Sequence, residues 1–267
     1  MLSILRIEWL KVSSYRTFWI LLAIAVVSIP GFNYMLYNIM DNSFPKVKGK
    51  SILGSPFAFP DVWQTVSWNS TLLFLIPAIL IITLVTNEFT YKTHRQNVID
   101  GWSRKQFIGV KIVEVFLLSG LCTLVVGLTA LGFGALGNKI APGQSLLKES
   151  RFVLFYFVQM FSYSMIAFLL AMLIRRAGLA IGAFFMYMLA EQVIVGIFRN
   201  IYKATAVDYL PEEVTDRLIP QPYLKVILSS QDATRWEHHL PVYLSVAALY
   251  LLLYCLFTGG RFLKSDL

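Results

Sequence analysis

Six long apolar stretches, separated by short polar and basic connectors, dominate the pattern of this chain. Each consists mostly of Leu, Ile, Val, Phe, Ala and Gly over roughly 18–25 residues, the length that a helix needs to cross a hydrocarbon core. The polar connectors place the predicted spans at 18–40, 67–86, 107–136, 152–174, 179–198 and 242–258. The pattern therefore predicts an all-α integral membrane protein with six transmembrane helices.

The composition agrees with this class, because 57% of the 267 residues are hydrophobic and only 14% are charged. A soluble domain of this length could not bury so much apolar surface. We expect a single transmembrane domain over residues 1–267. Its predicted parts are an amphipathic interfacial helix at 1–16, spans one to five within 17–198, an exported segment at 199–240, and span six with a cytoplasmic tail at 241–267.

The distribution of Lys and Arg predicts the orientation. With an even number of spans, both termini and the connectors at 87–106 and 175–178 fall on one side, where basic residues are denser than on the opposite side. Acidic residues nearly cancel the basic ones in the opposite loops. The positive-inside rule then places both termini in the cytoplasm and the protein in the cell (inner) membrane. The net charge of +8 reflects this topology and attraction to anionic lipid, and it does not indicate a nucleic-acid partner.

The connector between spans two and three carries the most informative polar pattern. Basic and apolar side chains alternate along residues 91–105, as expected for a short interfacial helix under the bilayer. Asp100 and Gly101 predict a turn after it, and Ser103 can cap the helix that enters span three. A loop that only anchors the topology would carry the same charges, so both interpretations stay open.

Several features of this connector and its surroundings occur in one order along the chain: Glu88, Lys92-Thr93, Arg95, Gly101, Ser103-Arg104 and Lys111. The chain also has an amphipathic N-terminal segment, a basic turn at 175–176 and a long exported segment before the last span. The combination resembles the membrane-spanning permease subunits of type-2 (ABCG-like) ABC exporters. The chain departs from that pattern at Trp102, where such permeases often have Pro.

The resemblance implies a permease that pairs with a second copy or a paralogue and is driven by separate ABC-type ATPase subunits. The chain would then not be an enzyme, and ATP and Mg would bind to the partner, with no cofactor in this chain. The connector would be a coupling helix and the exported segment would form re-entrant helices. Coupling contacts or bracing pairs are expected at Glu88, Lys92, Arg95, Ser103, Arg104, Arg175 and Arg176.

Glu191 interrupts the otherwise apolar fifth span. A carboxylate in mid-bilayer costs on the order of 3 kcal/mol, so we expect it to face protein or water, with Gln192 or a residue of another span as its partner. A polar element of the translocation path or dimer seam and a buried structural hydrogen bond both remain open. Glu114 is predicted to pair with Lys111 one turn earlier on the same helix.

Small residues in the spans predict close helix packing, because lipid gives no hydrophobic reward for helix association. These are Gly120, Gly127 and Gly134 on one face of span three, and Gly178 and Gly182 at the start of span five. Neither the two cysteines nor the adjacent histidines at 238–239 have metal-ligand spacing, and no catalytic residue is predicted.

Two further function classes remain open from the sequence. One is a membrane assembly or immunity protein that does not transport, and the other is an ion-coupled carrier. The carrier is disfavoured because the spans lack conspicuous charged relays. The sequence does not identify a transported substrate.

Overall fold

The computed structural model describes residues 2–43, 46–47, 50–51, 56–93, 103–136, 146–224 and 230–264. Within them the regular secondary structure is helical except for one short antiparallel pair, β1 (Lys46–Val47) and β2 (Lys50–Ser51). The α-helices are α1 (Leu2–Ser14), α2 (Arg16–Ser43), α3 (Val62–Thr71), α4 (Leu75–Thr90), α5 (Arg104–Leu136), α6 (Arg151–Ile174), α7 (Ala177–Asn200), α8 (Glu213–Asp216) and α9 (Ser230–Lys264).

Several of these helices have the length and composition of membrane spans. Among the described residues, α2, α5, α6, α7 and α9 are each long and apolar enough to cross a bilayer. The bent pair of α3 and α4 makes a sixth span if it is taken as one unit. The expected multi-pass helical architecture is therefore confirmed at this level.

The second span differs from the continuous helix predicted at 67–86. It begins earlier, at Val62, and is broken after Thr71 into two helices that meet at an angle of 50°. Residues 72–74 form tight turns, in which Phe74 N–H donates to the Thr71 carbonyl oxygen. Pro77 follows in the first turn of α4, where its missing N–H and its ring disfavour a continuous helix through the preceding turn.

Helix α6 is the centre of the bundle. It packs against α3, α4, α5, α7 and α9, and its span is more buried than the other candidate spans. Its apolar and small residues, such as Ala167, Phe168 and Ala171, lie in one of the buried hydrophobic clusters. The surrounding spans expose large apolar side chains on their outer faces, as expected of helices in contact with lipid.

The two ends of the bundle differ. At one end, here named the connector end, α1 lies against the end of α4 and the start of α5. At the opposite end, the described part of the following segment, 201–224, folds back on α3 and α6 through short helical turns and α8. Helix α9 begins at Ser230, well before the predicted start of span six.

Candidate functional site

A buried ion cluster lies at the connector end, centred on Lys111. Its ammonium group is paired with Glu8 of α1, with Glu88 of α4 at 2.5 Å and with Glu114 of α5 at 3.0 Å. Lys111 and Glu8 are almost completely buried, and Glu88 is only 5% exposed. One lysine therefore joins three helices that are far apart in sequence.

Glu8 attaches the N-terminal helix to this cluster through its ion pair with Lys111. Burial alone would raise its pKa, but the Lys111 ammonium and hydrogen bonds within the cluster lower the pKa of Glu8 to about 2. Lys11 adds a second cation at 3.4 Å from Glu8. The buried face of α1 accordingly includes Glu8 and Val12, whereas Trp9 is exposed.

The local sequence explains how Lys111 reaches this position. Ser103 Oγ accepts a hydrogen bond from Gln106 N–H at 3.2 Å, and the Gln106 side-chain oxygen accepts one from Ser103 N–H at 2.9 Å. This reciprocal capping box fixes the first turn of α5 and confirms the predicted cap at Ser103. Lys111 and Glu114 then follow on one face of the helix, and their predicted i,i+3 pair is confirmed.

The end of α4 also contacts the turn between α6 and α7. The Arg175 guanidinium lies over the Phe89 ring at 5.2 Å, an arrangement that favours a cation–π interaction. Arg175 has a positive φ of 57° and ends α6, while Arg176 is extended and precedes α7. Both basic turn residues are exposed, although Arg175 is held against α4.

The residues predicted to couple the chain to a partner occupy different positions. Lys92 is exposed at the end of α4 and adopts a positive φ of 54°. Glu88 is buried and is a bracing partner of Lys111, so it does not belong to an exposed docking surface. Arg95 and the predicted interfacial helix lie outside the described residues, as do Gly101 and the side chain of Arg104.

At the opposite end, Glu191 of α7 anchors the segment before the last span. One of its carboxylate oxygens accepts the backbone N–H of Glu212 at 2.7 Å and of Glu213 at 3.0 Å, and the other accepts the Tyr187 hydroxyl at 2.8 Å. Glu191 therefore satisfies backbone donors at the start of α8. The expected partnership with Gln192 is wrong, because the partners are Tyr187 and the folded-back segment.

Two arginines strengthen the same region. Arg199 pairs with Asp208 at 2.9 Å and with Glu213 at 2.6 Å, and Arg217 pairs with the same two carboxylates at 2.6 and 2.9 Å. Such a network of shared partners holds a segment more firmly than isolated surface pairs. The segment is thus tied to α7 by charge at two points, Glu191 and Arg199.

A cavity of about 320 Å³ lies between this segment, the break in the second span, α6 and α7. Asp216 in its wall accepts hydrogen bonds from Gln159 at 2.6 Å and from the Tyr163 hydroxyl. Its lining residues are Trp68, Thr71, Leu72, Phe74, Gln159, Tyr163, Met188, Gln192, Glu212, Asp216 and Ile219. The exposed Gln192 predicted beside Glu191 therefore belongs to this cavity.

The predicted packing glycines divide into two groups. A Cβ at Gly134 would lie less than 3.0 Å from the Phe59 ring, and one at Gly127 would touch Val153 at 3.7 Å. Cβ atoms at the remaining positions would meet nothing within 4 Å in the described part of the chain: Gly120, Gly178 and Gly182. Span three thus packs closely near its end, while the two glycines of α7 face open space in this protomer.

Comparison with known families places the chain in one of them. A family model described as "Protein of unknown function (DUF2705)" matches residues 21–267. The chain belongs to the DUF2705 family. The range shared with DUF2705 begins inside α2 and continues to the last residue, so α1 with Glu8 precedes it. Curated proteins give no match to the chain.

Both polar sites of this DUF2705 chain include residues that sequence reasoning missed. Glu8 and Lys111 were expected in an interfacial helix and in a motif, but not as a buried pair. Glu212 and Asp216 lie in the predicted exported segment and are not among the expected site residues, yet they line a cavity. Among the described residues, no group of three or more His, Cys, Asp or Glu is suited to a metal ion.

Proposed function

We propose that this chain is the permease subunit of an ABC exporter, acting as a dimer in the cell membrane and driven by separate ATPase subunits. The observation that carries the proposal is the ion cluster of Glu8, Glu88 and Lys111. It joins the helices on both sides of the connector 91–103 to the N-terminal helix. A force applied to the connector would therefore move three helices together.

Helix α4 would transmit this force across the membrane. It carries Glu88 near one end, and its other end meets the break that borders the cavity. Its 16 residues correspond to about 24 Å, since a helix rises 1.5 Å per residue. In hinge-type transitions, a rigid element carries motion from one site to another. Here α4 is the rigid element between the connector and the cavity. This supports a role in which ATP-driven motion at the connector opens or closes the cavity.

Charge reversal in the connector tests the proposed partner. The double variant Arg95→Glu and Arg104→Glu should insert normally but lose a copurifying ATPase from native membranes. Loss of two charge-assisted contacts at an interface costs roughly 3 kcal/mol, which corresponds to about 100-fold weaker binding. The matched control reverses two exposed lysines of the opposite end, Lys148→Glu and Lys203→Glu, and should retain the ATPase. Retention of the ATPase by both double variants would contradict the proposal.

The proposed orientation has a separate test. In a chain with Cys122 and Cys255 replaced by Ala, single cysteines are placed at two exposed positions, Arg176 and Thr205. An impermeant thiol reagent applied to intact cells should label the cysteine at Thr205 and leave the one at Arg176 unlabelled. Labelling in the reverse pattern would place the connector outside the cell, where it could not meet an ATP-driven partner.

A further inference from the structure

We propose that the cavity between α6, α7 and the segment 201–224 binds the ammonium group of a small organic cation. The site belongs to this chain alone, so its ligand can be measured without an ATPase and independently of the exporter function. Its volume of about 320 Å³ is at the lower end of the range for small-molecule sites. The ligand class follows from the charge, the unpaired acceptors and the aromatic walls of the cavity.

The charge of the cavity is one-sided. Glu212 and Asp216 line it, and none of its described lining residues is Lys, Arg or His. The nearby cations Arg199 and Arg217 are held by Asp208 and Glu213, which do not line the cavity. Burying an ionised carboxylate without a cation is costly, and a ligand that carries positive charge would stabilise the ionised form of such a carboxyl.

Two buried acceptors of the cavity lack donors. Among the described residues, Glu212 Oε1 and Gln159 Oε1 have no hydrogen-bond partner, and both side chains are at most 2% exposed. The Gln159 amide nitrogen is already used on Asp216. Each buried unpaired acceptor costs about 1–3 kcal/mol. A primary ammonium group supplies three N–H donors and no acceptor, which is the complement that these two oxygens require.

The remaining walls suit an apolar body attached to this ammonium group. Trp68, Phe74 and Tyr163 contribute aromatic side chains, and Leu72, Met188 and Ile219 contribute aliphatic or thioether groups. Aromatic faces attract cations as well as apolar groups. A compact cation with an aromatic or aliphatic body is therefore favoured over a hydrated inorganic ion.

Binding of the cation should release a proton from the cavity. Burial, together with the Glu191 and Asp216 carboxylates, raises the pKa of Glu212 to about 9. The Glu212 carboxyl therefore holds a proton at neutral pH before the cation binds. Burial also raises the pKa of Asp216 to about 6. When the ammonium group binds, the Glu212 carboxyl releases its proton to solvent and becomes the carboxylate counterion. The titratable groups that face Glu212 are Glu191 and Tyr187 of α7, Asp216 of α8, Tyr163 of α6 and Tyr254 of α9.

Titration calorimetry of the purified full chain with phenethylammonium tests the site. Phenethyl alcohol, which has the same body without the charge, is the matched control ligand. We expect the ammonium to bind at least tenfold more tightly than the alcohol, which corresponds to about 1.4 kcal/mol. Titrations at pH 7.5 in buffers of different ionisation enthalpy should show proton release on binding.

Substitutions place the binding at this cavity. Glu212→Gln should weaken phenethylammonium binding about tenfold or more and abolish proton release, because the amide cannot become a counterion. Asp216→Asn should weaken binding and keep proton release, which separates the two carboxyls if one variant is unstable. Glu237→Gln, an exposed carboxyl outside the cavity, should bind as the unchanged chain does. Equal binding of the alcohol, no binding at millimolar concentration, or unchanged affinity in both cavity variants would overturn the proposal.

Discussion

Replacing Lys111 with Met removes the ammonium group that three carboxylates share at the connector end. Methionine keeps most of the volume and the apolar stem of lysine, so the change deletes charge rather than packing. Glu8, Glu88 and Glu114 would then face one another in a buried site, with Lys11 as a partly exposed cation beside Glu8. The variant should destabilise the attachment of α1 to the bundle.

The size of the effect follows from the contact distances. At 3.0 Å, the Lys111–Glu114 pair attracts by about 5–6 kcal/mol with an effective dielectric constant of ~20. Desolvation of the lysine offsets much of this gain, and removing one partner of a buried pair typically costs about 3–5 kcal/mol. Proton uptake by the stranded carboxylates limits the loss. We therefore expect a decrease of about 4 kcal/mol in the free energy of unfolding, or a Tm lower by on the order of 10 °C.

Thermal unfolding of the purified protein, followed by tryptophan fluorescence, measures this change. The matched control is Lys105→Met, which removes an exposed lysine from the same helix and should change stability by less than about 0.5 kcal/mol. If Lys111→Met and Lys105→Met unfold at the same temperature, the cluster does not stabilise the connector end. The cluster could then not transmit force from the connector to α1.

Three other predictions concern the remaining sites. Gly134→Ala should destabilise the protein by about 1–3 kcal/mol, because the added methyl group meets the Phe59 ring. Gly120→Ala should not destabilise it, because the methyl group added there meets nothing within 4 Å. Thermal unfolding measures both changes. Glu191→Gln should increase proteolysis of the segment 201–224, since an amide offers one acceptor oxygen where the carboxylate uses two. The pKa of Glu212 is raised above its ordinary value of 4.5 to about 9, so the folded state holds a proton that the unfolded chain releases, and stability falls as the pH rises from about 4.5 through 9. Glu212→Gln should therefore lose less stability between pH 6 and 9, which Tm measurements across this range would show.

The sequence predicted the features of this fold that depend on local patterns. Long apolar runs marked the candidate spans, Ser103 before the third run marked a helix cap, and the spacing from Lys111 to Glu114 marked an ion pair. The break in the second span gave a weaker signal, because its residues are apolar like the rest of the run. Pro77 is the local indication of this break, because a proline disfavours helix in the preceding turn.

The buried polar sites could not be predicted in the same way, because their members are distant in sequence. Glu8 and Lys111 are 103 positions apart, and nothing in the periodicity of either segment links them. Glu212 and Asp216 lie in a proline-rich segment before the last span, and clustered prolines indicate surface turns. Only the folding of that segment against α6 and α7 turns their carboxyl groups inward.

The chain thus buries charge at both ends of the bundle, but the two sites differ in how that charge is satisfied. At the connector end, three carboxylates converge on one ammonium group, so opposite charges meet within the cluster. In the opposite cavity, carboxyls and an amide oxygen converge without a cation among the described lining residues, and two buried acceptors stay unpaired. A cluster of opposite charges favours one fixed geometry, whereas carboxyls without a cation favour a donor that enters the cavity. Because α4 has one end in the cluster and the other at the edge of the cavity, the fixed site can govern the shape of the open one.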